Sequence, residues 1–226
     1  FNRIFVKDDS VDIGYIGIFG IFILVLISYI SHFFTPHNQI FNTIILISGL
    51  IILYFNKNDS ILKNDIKLLG IVFTVLIIFI LTAKNHDDFP YYHFPYTHLI
   101  TKFSNVLGLG NFNHGFRTHS SIFYLSSLFN LPKSNFFLIN LSPVFFMGFC
   151  NLILLNKIKK YLILNKTDLV LYLSLLSFIF VNVFFYRLAE HGTDRSAMIL
   201  IFILIIELMY LDNIEKKFNE NYLPKL

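Results

Sequence analysis

The sequence predicts an all-α fold, a polytopic transmembrane helix bundle, and three observations carry that expectation. Hydrophobic residues make up 55% of the chain and its mean hydropathy is +0.65. Charged residues make up only 14%, where a soluble domain carries about 25%. The apolar residues also run in unbroken blocks, such as 16–30 and 68–81, instead of alternating with polar ones at helix or strand period. A segment that is apolar on every face needs surroundings that are apolar on every face.

Six spans are expected, at 13–34, 40–55, 66–83, 135–155, 168–186 and 196–211. Each is near the ~20 residues that cross ~30 Å of hydrocarbon, and the second is short. The first block is too long for the core of a signal peptide and no small-residue cleavage site follows it, so it reads as a true span. Pro36 and Asn38 separate it from the second. Polar turns at 56–65 and 156–168 separate later pairs. The stretch from Pro143 to Gly148 is the one Pro/Gly interruption inside a span. A long loop, 84–134, joins the third span to the fourth. The expectation is a single transmembrane domain over 1–226, read as a piece of a longer protein.

Charge sets the expected orientation, because Lys and Arg concentrate in cytoplasmic loops. With the N-terminus inside, Arg3, Lys7, Lys57, Lys157, Lys160 and Lys216 fall with most other basic residues on the inner side. Lys84, Lys102, Arg117, Lys133, Arg187 and Arg195 fall on the outer one. The net charge of +4 is thus an orientation signal and does not point to nucleic acid. Cys150 is the single cysteine, which excludes an internal disulfide and a thiolate metal site.

The histidines all fall on or beside the outer side, with only four carboxylates: Asp87, Asp88, Glu190 and Asp194. Paired carboxylates at a membrane boundary need solvation or partners, which makes Asp87 and Asp88 candidates for a general base or for cation ligands. Asp194 follows Glu190 and His191 in a short loop before the last span. That loop can face the long one, although Asp194 is also placed to cap the span. In the long loop, 97–107 and 120–131 carry apolar residues at helical spacing and read as amphipathic helices in the interface plane. Arg117 and Arg195 offer planar forks suited to phosphate, as a lipid headgroup would present it.

Residues 85–95, Asn-His-Asp-Asp-Phe-Pro-Tyr-Tyr-His-Phe-Pro, and 111–123, Asn-Phe-Asn-His-Gly-Phe-Arg-Thr-His-Ser-Ser-Ile-Phe, resemble the first outer loop of the membrane glycosyltransferases of the GT-C fold, in particular a bacterial GT-C-like group. His191-Gly-Thr-Asp-Arg195 resembles the acidic segment of a later outer loop of those enzymes. The likeness covers roughly 68–211 and departs from the pattern in two ways: the acidic pair follows the third span instead of the first, and six spans are fewer than usual. The resemblance implies inverting transfer of a sugar from a polyprenyl-phosphate-linked donor to an acceptor glycan, lipid or protein, at the outer face of a bacterial inner membrane. Asp87, Asp88 and Asp194 would be the catalytic acids. His93, Arg117, His191, Arg195 and Tyr92 would bind substrate or its phosphate. A divalent cation, Mg or Mn, would sit on Asp87, Asp88 and Asp194 if one is used. Two other readings belong beside it: a polysaccharide polymerase or ligase, and a non-enzymatic transporter or flippase subunit of cell-envelope glycan synthesis.

Overall fold

The computed structural model describes residues 12–55, 60–81, 86–105, 107–117, 120–134 and 138–222. Eight α-helices, and no β-strand, are found among them: α1 Ile13–His32, α2 Gln39–Phe55, α3 Ser60–Leu81, α4 Phe94–Lys102, α5 Ser121–Ser127, α6 Leu141–Ile163, α7 Leu169–Phe184 and α8 Leu188–Tyr222. The all-α expectation holds. Lys84, Lys57, His119 and the basic residues of the first eleven positions lie outside the described residues, as does the His191 side chain.

Helix ends follow local chemistry. The Asp12 carboxylate accepts from the Gly14 N–H at 2.7 Å and starts α1, and Asp168 does the same for α7 through the Leu171 N–H at 3.2 Å. At the end of α6, Asn165 turns into the left-handed region at φ 49°, and the Lys166 N–H reaches back to the Tyr161 carbonyl. Pro143 stands in the first turn of α6, where a missing N–H costs nothing. The expected interruption is therefore an ordinary helix start.

α6 is the centre of the bundle, with α1, α3, α7 and α8 packed around it. Met147, Cys150, Leu152 and Leu154 along it are fully buried. α1 comes close to it because Gly14 and Gly17 have no side chain: a Cβ at Gly14 would stand 2.8 Å from the Phe149 carbonyl oxygen, and one at Gly17 would overlap the Phe149 ring. The outer surfaces of these helices stay apolar. Leu26, Ile30, Ile52, Ile78, Leu176 and Leu204 are all more than half exposed. Two helices, α1 and α6, are long and apolar enough to cross a membrane, and Gln39–Phe55, Ile66–Ile78 and Leu169–Phe184 are shorter apolar helices.

Three boundaries differ from the sequence reading. The helix expected at 135–155 is α6, six residues later and running on through the polar Asn156–Lys160 stretch, because Lys157 finds Glu207 of α8 at 2.7 Å. The short loop expected around His191 and Asp194 is helical: α8 begins at Leu188, so Asp194 lies inside it and caps nothing. The two interface-plane helices are shorter than expected. One of them, α5, is buried at every residue from Ile122 to Ser127, wedged among α1, α4 and α6. A helix lying on a surface keeps one face free; α5 has no free face and is part of the core.

Candidate functional site

Beyond α3 the chain turns at Asp87 and Asp88 and enters a single π-helical turn, Phe89–His93, before α4. Pro90 and Pro95 favour that start, since each lacks an N–H that the first turn would leave unbonded. Tyr91 and Tyr92 N–H groups donate to the Asp88 carbonyl at 3.1 Å, which fixes the Asp88 side chain beside Tyr92. The Tyr92 hydroxyl lies 3.4 Å from Asp88 Oδ2. The Asp88 N–H donates to His86 Nδ1 at 3.0 Å, which seats the imidazole against the turn. His86 in turn stacks on His93 at 5.5 Å, and His93 packs on Phe123 of α5.

Gly115 completes the seat. A Cβ there would stand 2.5 Å from Tyr92 Cγ, so the turn His114–Phe116 can lie on the Tyr92 ring only with glycine at that position. Asn113 locks the turn, with its side chain accepting from the Gly115 N–H at 2.8 Å and donating to the Tyr91 carbonyl at 3.1 Å.

Asp194, on α8, lies within electrostatic range of this cluster. Its charge acts on both Tyr92 and His93, in the same direction as that of Asp88. Burial raises the Tyr92 hydroxyl pKa, and the two carboxylates add to the rise. Burial lowers the His93 pKa and His86 lowers it further, while Asp88 and Asp194 pull it back up. The result is a half-buried carboxylate, Asp88, beside a phenol and an imidazole favoured in its neutral form, with a second carboxylate close by. Such a group can take a proton from a hydroxyl brought to it.

The sequence-designated residues do not all gather here. Asp88, Tyr92 and His93 come together, and Asp194 acts on Tyr92 and His93 through its charge. Asp87 is exposed on the turn. Arg195 places its guanidinium over the Phe185 ring, 5.3 Å from its centre. Arg117 lines a separate cavity under α4 and α5. Among the described residues no three His, Cys, Asp or Glu side chains are grouped so as to hold a metal ion.

Sequence reasoning missed a buried polar network beside the cluster. His37 is fully buried, with Nδ1 2.6 Å from Ser127 Oγ and Nε2 3.0 Å from Ser31 Oγ. The Asn42 amide donates to the His37, Ser127 and Asn130 carbonyls. The available signal was two histidines bracketing Pro36 opposite a Ser-rich stretch at 120–134.

A family model described as a domain of unknown function, DUF8201, matches residues 1–224. The chain belongs to the DUF8201 family. No curated protein and no solved structure matches it. In this DUF8201 chain the charges of Asp88 and Asp194, about a hundred residues apart in sequence, act on the same Tyr92 and His93.

Proposed function

We propose that this chain is a polytopic membrane protein that transfers a sugar from a polyprenyl-phosphate-linked donor to an acceptor hydroxyl. The observation that carries the reading is Asp88 beside Tyr92 and His93, with the charge of Asp194 acting on the same two groups. The exposed apolar surfaces of α1, α2, α3, α7 and α8 support the membrane setting, since that much apolar area is stable only against hydrocarbon. The ends of α1, α3 and α7 and the starts of α6 and α8 carry the loop side, which the basic-residue distribution assigns to the outside.

In this reaction Asp88 takes the proton of the acceptor hydroxyl. The oxygen attacks the anomeric carbon from the face opposite the donor phosphate, the carbon–oxygen bond to phosphate breaks, and the lipid phosphate departs with the electron pair. The configuration inverts. Asp194 orients the acceptor, and neutral His93 holds a hydroxyl by hydrogen bonding. Arg195, one residue from Asp194, is the nearest cationic group in sequence for the departing phosphate. The polyprenyl tail stays in lipid while its sugar reaches the loop side.

The test is transfer from a radiolabelled polyprenyl-phosphate hexose in membranes holding equal amounts of each variant. Asp88→Asn lowers the rate by about 10² to 10⁴, the usual worth of a general base, whereas Asp87→Asn, at a more exposed position, retains most of it. Full activity in Asp88→Asn would remove the mechanism.

A further inference from the structure

A cavity of about 460 Å³ opens between α4, α5, the end of α1 and the loop 103–117, and nothing in the transfer scheme uses it. Its volume lies within the range of about 300–1,000 Å³ typical of small-ligand sites. The lining chemistry is specific. Tyr96, Tyr124 and His32 are buried in its wall, Asn105 and Asn111 come from the loop, and Arg117 is its one charged residue. Among the described residues no carboxylate lines it.

The three buried groups form a directed chain. The Phe103 carbonyl can only accept, so His32 donates from Nε2 at 2.9 Å. In the neutral imidazole Nδ1 then accepts, from the Tyr124 hydroxyl at 3.3 Å. Tyr124 in turn is hydrogen-bonded to Tyr96. The wall is thus preorganised, with phenol hydroxyls held in place at little further entropic cost. Phe116, stacked on Tyr96 with ring centres 5.3 Å apart, adds an aromatic face.

Each candidate ligand class meets this lining differently. A hydrocarbon would suit the Leu and Phe part of the lining but leave the Asn105 and Asn111 amides facing an apolar partner, which is costly. A cation finds no carboxylate. A phosphate finds one guanidinium, on an exposed residue. A neutral ligand rich in hydroxyls meets groups that both donate and accept, and rings on which its C–H faces pack. We propose that this cavity binds carbohydrate, a neutral saccharide of one or two rings, at a place distinct from the carboxylate pair. The two are nonetheless adjacent: Phe116 lines the cavity while its neighbour Gly115 packs on Tyr92. A glycan held here would be anchored one short turn from Asp88. The assignment stands on the lining alone and does not require Asp88 to be catalytic.

The experiment is saturation-transfer NMR on the full chain in a polyoxyethylene detergent, which has neither sugar nor phosphate. The probes are maltose, cellobiose and diacetylchitobiose, with dihexanoyl phosphatidic acid as the competing chemistry. Transfer to ring protons of at least one disaccharide is expected. It drops at least fivefold in Asn111→Leu, an exposed position that folding tolerates, or in Asn105→Leu, and persists in Asp88→Asn. Three results overturn the proposal: no transfer to any disaccharide; transfer that survives both asparagine variants; or binding of the phosphatidic acid alone, lost in Arg117→Gln, which would make the cavity a lipid-phosphate site. Loss of sugar binding in Asp88→Asn alone would move the sugar to the carboxylates and leave the transfer reading intact.

Discussion

Asp87 and Asp88 are adjacent in the chain and differ in surroundings, because a turn sends successive side chains in different directions. Asp88 meets His86 and Tyr92, while Asp87 is exposed. His37 shows the same dependence on partners. Ser127 donates its one hydroxyl proton to the Tyr124 carbonyl at 2.6 Å, so His37 must donate from Nδ1 to Ser127 Oγ and accept at Nε2. Burial, followed by the nearby His32, pushes its pKa down to about 4. The folded state therefore refuses a proton that the unfolded chain takes near pH 6.5. Stability from this group is fully present above pH 6.5 and falls as pH drops towards 4, by about 1.4 kcal/mol per pH unit. Thermal unfolding in detergent between pH 4 and 8 should show that slope, and His37→Gln should flatten it. An equal slope in the variant would mean another group titrates.

Helix contacts turn on single atoms. Gly17 of α1 faces the Phe149 ring of α6, whereas a Cβ at Gly20 would meet nothing within 4 Å. Gly17→Ala should cost about 1–3 kcal/mol through overpacking, and Gly20→Ala should cost nothing or stabilise slightly. Melting temperatures of the two variants compare them directly; equal values would mean that α1 and α6 do not approach as described. The apolar blocks were legible as helices, whereas the caps at Asp12 and Asp168 appear only in the structure. The segment before Asp194 was not legible as helix: its run of polar residues reads as a loop, yet it opens α8. Local polarity does not separate a loop from the first turns of a helix. α5 failed for the opposite reason. Its apolar side was legible, but that Ser126 and Ser127 would also be buried depended on Ser142 and His37, which lie elsewhere in the chain.

Across the whole molecule, the polar residues divide between two ends. At the end opposite the loops, Lys157 of α6 pairs with Glu207 of α8 at 2.7 Å, and the Tyr15 hydroxyl of α1 donates to the same carboxylate. The Lys157 side chain is only 12% exposed, so Lys157→Met strands a carboxylate and should cost about 3 kcal/mol or more. Adding Glu207→Leu should recover part of that loss; a double variant no better than the single one would show that the pair is not coupled. Sidedness has its own test. With Cys150→Ala as background, single cysteines at Ser104 and Tyr186 should react with an impermeant reagent from one side of the membrane, and one at Lys166 from the other. Ser104 and Tyr186 on opposite sides would dissolve the shared site.

Composition and pattern alone determined that this chain is helical, where its apolar segments lie, and that Asp87, Asp88 and Asp194 stand out among the few outer-side carboxylates. Those follow from local properties: residue type, block length and spacing. Only the tertiary structure decided that Asp88 and Asp194 act on the same Tyr92 and His93, that Arg195 lies over Phe185 and Arg117 lines another site, and that His32, Tyr96 and Tyr124 wall a cavity. Which groups meet depends on how helices pack around α6, and that packing turns on contacts such as Gly17 with Phe149 and Gly115 with Tyr92. Each is made by residues far apart in the chain, so no window of sequence contains both halves.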